Sequence, residues 1–205
     1  MPTALVTGSA VRIGQAMAQR LAHRGYDLAL HYGRSNPQDT VDYCERAGVR
    51  VRTYPCDLND LQSVENMMQA VVADADDLSL LINSAANFIQ ENVEQTTLQS
   101  LEQSLNVNLM APFLLAKTLI PHLRQSDRDA SFVFIGSKDA FDVVRGLVAY
   151  SVSKAALLQL SKTIAVEEGP NGIRSNVIHP DVVIEGSSLW SDKLRQNRAE
   201  KHGVD

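Results

Sequence analysis

The 205-residue sequence has only two cysteines, few aromatic residues and no apolar run near the roughly 20 residues that span a bilayer. Cys44 and Cys56 cannot build a disulfide framework, and their spacing is not that of metal ligands. The segment that begins at Met1 lacks the basic flank and apolar core of a signal peptide. The five histidines show no metal-pair spacing. These absences predict a cytoplasmic protein with reduced thiols and no metal site.

An excess of positive charge is also lacking, because 19 Lys and Arg face 24 Asp and Glu and the net charge is −5. A mildly acidic chain is a poor binder of nucleic acid or of membrane surfaces. The 44% of hydrophobic and 21% of charged residues are typical of a globular protein. No internal repeat or low-complexity linker divides the sequence, so we expect a single domain over 1–205.

Strand-like and helical segments alternate along the chain. Six short apolar segments indicate strands, at 4–7, 27–32, 49–54, 78–82, 131–135 and 173–178. Apolar residues at helical spacing occupy 12–24, 39–47, 61–73, 98–123 and 149–167, and Pro112 is expected to kink or divide the fourth helix. This alternation predicts an α/β fold with a doubly wound, Rossmann-like parallel sheet in a three-layer αβα arrangement.

A turn with two glycines, TGSAVRIG at 7–14, joins the first predicted strand to the first helix. Gly8 permits a tight turn, and Gly14 lets the helix begin against the sheet. The helix N-terminus then offers free N–H groups to a pyrophosphate. An ordinary strand–helix turn would contain the same glycines, so this segment alone leaves both interpretations open.

The end of the second predicted strand bears on the choice of cofactor. In dinucleotide-binding folds an acidic residue about 20 positions beyond the glycine turn binds the ribose 2′-hydroxyl, whereas an arginine there suits a 2′-phosphate. Arg34 and Ser35 occupy this place, and Arg12 lies in the turn itself. The pattern favours NADP(H), although two solvated surface arginines would give the same sequence.

Tyr150 and Lys154 lie four residues apart at the beginning of a predicted helix and so share one face. A lysine ammonium close to a phenol stabilises the phenolate and lowers its pKa from about 10. Ser137 follows the fifth predicted strand, at the sheet edge where open α/β folds bind ligands. It lacks the flanking glycines of a hydrolase nucleophile elbow. A Tyr–Lys pair alone is common and often inert, so its meaning depends on these surroundings.

Seven segments together resemble the short-chain dehydrogenase/reductase family over residues 4 to about 181. They are TGSAVRIG (7–14), CDL (56–58), LINSAA (81–86), NVNL (106–109), IGS (135–137), YSVSK (150–154) and IRSNVIHPD (173–181). The resemblance implies hydride transfer between a nicotinamide and a carbonyl, an alcohol or a C=N bond of a small-molecule substrate.

The resemblance also implies roles for individual residues. Tyr150 would be the acid/base, Lys154 would bind the nicotinamide ribose and lower the pKa of Tyr150, Ser137 would orient the substrate, and Asn108 would support a water-linked proton relay. Asn108 could instead be a helix-interior residue with a local backbone bond, and Asp57 a helix N-cap. The implied NADP(H) contacts are Gly8, Ser9, Arg12, Ile13, Gly14, Tyr32, Arg34, Ser35, Asp57, Leu58, Asn83, Ala85, Ala86, Tyr150, Lys154 and Pro180.

Some features resemble the pteridine-reductase branch of this family. Arg12 replaces the middle glycine of the turn, HYGRS (31–35) is similar to that branch's second strand end, and Phe88 stands where a pterin ring would stack. Ser137 departs from the Asp of that branch. An ordinary packed aromatic is the alternative for Phe88. Implied substrate contacts are Phe88, Ser137, Tyr150 and Trp190.

Two other functions stay open. The segment around Trp190 resembles sugar- and polyol-type dehydrogenases, with Trp190 in a substrate-covering loop or simply packed there. A non-catalytic nucleotide-binding relative would usually lack Tyr150 or Lys154, and both are present.

The family continues with a seventh strand and a glycine-rich ending that this sequence does not show, so we expect 173–178 to form an exposed sheet edge. We expect 182–205 to form the substrate lid. The resemblance further implies a homodimer or homotetramer through the helices of 98–124 and 149–167.

Overall fold

The computed structural model describes residues 1–75, 77–125 and 129–183. Six strands alternate with helices in the predicted order. The strands are β1 (Thr3–Thr7), β2 (Asp27–Tyr32), β3 (Val51–Pro55), β4 (Leu78–Asn83), β5 (Ala130–Ile135) and β6 (Ile173–Ile178). The helices are α1 (Arg12–Ala22), α2 (Gln38–Arg46), α3 (Leu61–Asp74), α4 (Leu98–Leu105), α5 (Ala111–Leu123) and α6 (Val148–Glu168), with a π-helical segment at Asn106–Met110 and short 3₁₀ turns at Lys138–Ala140 and Gly169–Asn171.

The strands form one parallel sheet in the order β3-β2-β1-β4-β5-β6. The order reverses direction between β1 and β4, so the connections leave the carboxyl ends of these neighbouring strands toward opposite faces. Such a switch point opens a crevice beyond the strand ends, where open α/β folds bind their ligands. The predicted doubly wound, Rossmann-like fold is confirmed.

Two apolar cores hold the sheet between its helices. One contains Met68 of α3, Leu115 of α5 and Leu157 of α6, packed with Leu5 and Phe132 of the sheet. The other, on the opposite face, packs α1 and α2 against β1, β2 and β4. The central strands are buried on both faces, which explains why they are mostly apolar in the sequence, with polar residues mainly at their ends.

The helix predicted over 98–123 is interrupted, but not by a simple kink at Pro112. Residues Asn106–Met110 form a π-helical segment directly before α5, and Pro112 lies in the first turn of α5. Because proline has no N–H, it cannot donate to the carbonyl four residues earlier, and the chain changes its hydrogen-bonding pattern over the preceding turn.

At the sheet edge, β6 alternates between buried and more exposed positions. Ile173 is buried, whereas Arg174, Asn176 and Ile178 are exposed. Within the described residues β6 pairs with β5 alone, as expected for an edge strand. Among these residues no helix is long and apolar enough to cross a membrane. The predicted lid lies almost entirely outside the described residues, and Trp190 lies outside them altogether.

Candidate active site

A cavity of about 1060 Å³ opens at the carboxyl ends of the strands. Its walls come from the turns that follow all six strands, from the glycine turn after β1 to the segment at 180–183 after β6. The location is the switch-point crevice of the sheet. It brings together residues that lie up to 175 positions apart in the sequence, between Gly8 and Val183.

The glycine turn is so closely packed that side chains do not fit at its two glycines. Gly8 has a φ of +65°, and a Cβ there would lie 2.8 Å from Ala85 Cα. At Gly14 a Cβ would lie 2.2 Å from the carbonyl oxygen of Gly8. Arg12 has a φ of +55°, which is unusual for a residue with a side chain. The turn therefore holds a strained conformation that brings its backbone close to the cavity.

Thr7 fastens the glycine turn to the segment after β4. Its Oγ1 donates to Asn83 Oδ1 at 3.1 Å and accepts from the backbone N–H groups of Ser84 and Ala85 at 3.0 and 3.1 Å. Asn83 is 1% exposed and does not reach the cavity surface. Its role in this structure is to join β1 and β4, while Ala85 and Ala86 line the cavity.

His31, buried at the end of β2, links three of the turns. Gly8 N donates to His31 Nδ1 at 3.2 Å, which leaves Nε2 to donate to the carbonyl oxygen of Cys56 at 3.0 Å. Burial lowers the pKa of His31 and so favours the neutral ring that this pattern requires. In the sequence, His31 stands out only as part of HYGRS (31–35), and nothing there indicates this role.

Arg34 and Asp57 line one end of the cavity. Arg34 is exposed, as a group that meets a phosphate would be. Asp57 accepts a hydrogen bond from Asn59 N at 3.0 Å, and the N-cap of α3 is Asp60 instead. The N-cap interpretation of Asp57 is therefore wrong.

Arg12 is directed toward the 183 side of the cavity. Its Nη2 donates to the carbonyl oxygen of Val183 at 3.2 Å. Burial raises the pKa of Tyr150, and the positive charge of Arg12 partly offsets this rise. The expectation that Arg12 and Arg34 surround a single phosphate is therefore not supported by the contacts of Arg12. Its Nε is buried without a hydrogen-bond partner in the described residues, so a donor is left for a ligand.

Tyr150 and Lys154 face the cavity one turn apart in α6, with Lys154 Nζ 5.7 Å from the centre of the Tyr150 ring. Lys154 is 1% exposed and its Nζ donates to the carbonyl oxygen of Ile135 at 2.8 Å. Phe88 packs edge-to-face against Tyr150 at 4.9 Å between ring centres. Phe88 therefore lies beside the tyrosine on the cavity wall.

The protonation equilibria differ from the expected pattern. Burial raises the pKa of Tyr150, the interaction with the Ser137 hydroxyl opposes this, and the charge of Asp139 adds to it. Burial also lowers the pKa of Lys154 from 10.5 to about 8. The net shift of the Tyr150 pKa in the cofactor-free protein is therefore upward, opposite to the predicted direction, because burial is its largest cause.

Ser137 makes hydrogen bonds with two residues that were not among the predicted site residues. Its Oγ donates to Asp139 Oδ2 at 3.0 Å and accepts from Asp139 N at 3.2 Å. On the other side, His179 Nδ1 is 2.8 Å from the carbonyl oxygen of Ser137, to which it donates. His179 lies inside the quoted segment IRSNVIHPD (173–181) and Asp139 lies two residues after IGS (135–137), but no sequence signal indicates the direction of their side chains.

Asn108 is completely buried and does not line the cavity. Its Oδ1 accepts from Asn87 N at 2.7 Å, and its Nδ2 donates to Asn87 O at 2.8 Å and to Ser153 Oγ at 2.9 Å. These bonds reach residues 21 and 45 positions away, so the interpretation as a local helix bond is wrong. Asn108 fixes the segment that carries Phe88 against α6.

The structure brings most of the predicted site residues together. Those that line the cavity are Gly8, Arg12, Ile13, Gly14, Arg34, Asp57, Leu58, Ala85, Ala86, Phe88, Ser137, Tyr150, Lys154 and Pro180. Ser9, Tyr32, Ser35, Asn83 and Asn108 are not on its wall. Ser9 is turned inward, because its hydroxyl donates to the carbonyl oxygen of His31 at 3.0 Å.

These features fit a dinucleotide. The first residues of α1, Arg12 to Gly14, line the cavity, and the N–H groups of a first helical turn have no partner within the helix. The buried Nε of Arg12 also lacks a partner among the described residues. The described residues contain no group of His, Cys, Asp and Glu that could hold a metal ion.

Comparison with known proteins gives consistent results. A family model described as short chain dehydrogenase matches residues 2–194. Human dehydrogenase/reductase SDR family member 4 is 30% identical over 197 residues, which cover 94% of this chain and 70% of that protein. An uncharacterized oxidoreductase from Bacillus subtilis is 28% identical over 209 residues, but this chain spans only 30% of its length.

Solved structures show the same similarity. A dehydrogenase/reductase from Sinorhizobium meliloti has a TM-score of 0.86 and 32% identity, with 96% of this chain and 79% of that chain covered. A short chain dehydrogenase from Burkholderia cenocepacia, solved in complex with NADP, has a TM-score of 0.87 and 30% identity, with 97% and 81% covered.

Proposed function

Because the chain belongs to the short-chain dehydrogenase family of oxidoreductases, we propose that it transfers a hydride between NADP(H) and a carbonyl or C=N substrate. The observation that carries this proposal is the convergence of Tyr150, Lys154 and Ser137 on one cavity that also contains the glycine turn. The proposed acid/base, the cation and the substrate-orienting hydroxyl thus line the same cavity as the proposed cofactor site.

When bound, the nicotinamide cofactor supplies or accepts the hydride. The backbone of the glycine turn and the free Nε of Arg12 would hold its pyrophosphate, and Ala85, Ala86 and Pro180 would line its path. Lys154 would bind the nicotinamide ribose. Tyr150 would give a proton to the reduced oxygen or nitrogen, or take it back in the oxidative direction. Asn108 does not line the cavity and would act indirectly, by positioning the segment that carries Phe88.

The raised pKa of Tyr150 has a mechanistic consequence. The phenol stays protonated in the cofactor-free protein, and this is the form that would donate a proton to the reduced oxygen or nitrogen. Lys154, with a pKa of about 8, keeps most of its positive charge at neutral pH and would bind the nicotinamide ribose as a cation.

For the 2′-phosphate of NADP(H) we infer that Arg34 is the main contact. It is exposed at the cavity end that also contains Asp57, Leu58 and Gly33. Arg12 contributes from the opposite side through the pyrophosphate, so Arg34 alone carries the preference for NADPH over NADH.

A dihydropterin is the substrate that we propose to test first, because Phe88 lies beside Tyr150 and offers a planar ring for stacking. A sugar or polyol is the alternative, since the loop around Trp190 carries that resemblance. A non-catalytic nucleotide-binding role would require Tyr150 to be dispensable, and its position on the cavity wall favours an enzyme.

The proposed assembly is a homodimer or homotetramer through α4–α5 and α6. Phe113 of α5 is 41% exposed, and Val152 and Val166 of α6 are 51% and 78% exposed. An apolar surface on adjacent helices is what a symmetric interface would bury.

The test is a titration of the protein with NADPH and with NADH, followed by cofactor fluorescence. We expect NADPH to bind more tightly than NADH. Arg34→Ala should weaken NADPH binding by about tenfold or more and leave NADH binding nearly unchanged, because only the phosphate contact is lost. The matched control is Arg24→Ala, an exposed arginine that does not line the cavity.

If Arg34→Ala loses affinity for NADPH and NADH equally, or if the wild type prefers NADH, the 2′-phosphate assignment is refuted and the polyol alternative is favoured. Failure of the wild type to bind either cofactor would refute the oxidoreductase function for this chain.

A further inference from the structure

Asp139 lies at the substrate end of the cavity, beside Ser137 and Tyr150. It is half-buried and lines the cavity wall. Its Oδ2 accepts a hydrogen bond from Ser137 Oγ at 3.0 Å. Its negative charge is also close enough to Tyr150 to contribute to raising the pKa of that phenol. A carboxylate thus stands next to the two side chains that would contact the reacting atom.

The hydrogen bonds decide what the Ser137 hydroxyl can offer a substrate. A hydroxyl has one hydrogen to donate, and that of Ser137 is directed at Asp139. With that hydrogen directed at Asp139, Ser137 Oγ can only accept further hydrogen bonds, and a carboxylate is itself only an acceptor. Ser137 and Asp139 together form an acceptor-only surface, whereas the protonated Tyr150 is the adjacent donor.

Three cationic side chains on the cavity wall make other contacts. Lys138 Nζ is 3.0 Å from Asp181 Oδ1, Arg12 donates to the carbonyl of Val183, and Lys154 donates to the carbonyl of Ile135. None of these contacts neutralises Asp139. Its charge therefore faces the space in which a substrate would sit.

We propose that Asp139 determines substrate specificity by charge. It favours a carbonyl or C=N compound that carries a hydrogen-bond donor, above all a protonated or N–H nitrogen, next to the reducible bond. It disfavours compounds with a carboxylate or phosphate at that position. The reducible oxygen or nitrogen accepts from Tyr150 while the neighbouring donor binds Asp139 and Ser137. This inference depends on the proposed hydride-transfer function.

The test uses four aryl ketones of similar size that differ only beside the carbonyl. Acetophenone is neutral, 2-hydroxyacetophenone has a neutral donor, phenacylamine has a protonated amine, and benzoylformate has a carboxylate. We expect kcat/KM with NADPH to fall in the order amine, hydroxyl, methyl, carboxylate, with about tenfold or more between the first and the third.

Asp139→Asn tests whether the charge is the cause. The amide has nearly the same shape and its oxygen can still accept from Ser137, but the negative charge is lost. We expect the ratio of kcat/KM for phenacylamine to kcat/KM for acetophenone to fall by about tenfold or more. Turnover of benzoylformate should rise. Asp142→Asn is the matched control, since Asp142 is an exposed acid three positions away that does not line the cavity.

An altered fold is recognised independently of selectivity. NADPH affinity and thermal stability of Asp139→Asn should match those of the wild type. If the amide variant is misfolded, Asp139→Glu replaces it, because a retained charge predicts a retained amine preference.

Two failures are distinguishable. Loss of NADPH binding in the wild type would refute the proposed function as a whole. Normal NADPH binding together with equal kcat/KM for all four ketones, or an equal loss for all four in Asp139→Asn, would refute only the charge selection. If none of the four ketones is reduced, their binding to the NADPH-loaded protein is measured by calorimetry, and absence of the predicted order there also refutes it.

Discussion

Lys154 provides a prediction that needs neither cofactor nor substrate. Its side chain is 1% exposed, and burial lowers its pKa from 10.5 to about 8. In the unfolded chain the same ammonium would keep its ordinary pKa. At a pH between the folded-state pKa of about 8 and the ordinary pKa of 10.5, the unfolded protein binds a proton that the folded protein does not. The free energy of unfolding therefore rises with pH in this range.

The size of the effect follows from the difference between the two values. Each unit of pKa corresponds to about 1.4 kcal/mol, so the charged lysine costs the folded state about 3 kcal/mol at neutral pH. This cost disappears as the pH rises through the window from 8 to 10.5. Between about pH 7 and about pH 9.5, the lysine protein should gain about 2 kcal/mol relative to a variant with no titratable group there.

The assay is urea unfolding of the cofactor-free protein at a series of pH values. Lys154→Met is compared with Lys154, both in a Tyr150→Phe background, because the nearby phenol would otherwise titrate in the same range. The thiols of Cys44 and Cys56, whose pKa values burial raises to about 11, affect both proteins equally and cancel in the difference.

The informative quantity is the difference in free energy of unfolding between the two proteins at each pH. We expect Lys154→Met to be the more stable protein near pH 7 and to lose its advantage as the pH rises. A difference that stays constant over the whole range would refute the reasoning, because it would mean that Lys154 keeps its proton in the folded protein. A difference that changes in the opposite direction would mean that the fold stabilises the ammonium.

Two further predictions concern the packing of the site. Gly14→Ala should weaken NADPH binding by about tenfold or more, since its Cβ would lie 2.2 Å from Gly8 O, whereas Gly169→Ala, with nothing within 4 Å, should bind normally; equal affinities in fluorescence titrations would contradict this. Asn108→Ala should lower the free energy of unfolding by about 2 kcal/mol or more, because the backbone N–H and C=O of half-buried Asn87 lose their partner. Unchanged urea midpoints would show that Asn108 does not fasten this segment.

The order and type of the elements could be predicted from the sequence because both depend on local patterns. β2 and β6 extend over the predicted 27–32 and 173–178, and the other four strands differ from their predicted bounds by at most two residues at either end. Buried parallel strands must be apolar throughout, and helices between them must be apolar on one side, so each leaves a distinct period. Pro112 predicted an interruption of the fourth helix, but its missing N–H does not indicate which hydrogen-bonding pattern replaces the α-helix. The π-helical form of Asn106–Met110 was therefore not predicted.

The site divides in the same way. That Gly8, Tyr150 and Ser137 would meet was predictable, since each follows or faces the carboxyl end of a parallel strand, and these ends share one edge. The sequence by itself thus determined the fold, the family and the edge at which the site lies. Only the tertiary structure decided that Arg12 points to Val183, that Asp139 takes the hydrogen of Ser137, and that burial raises the pKa of Tyr150. Side-chain direction and desolvation depend on neighbours that are distant in sequence, and no local pattern records them.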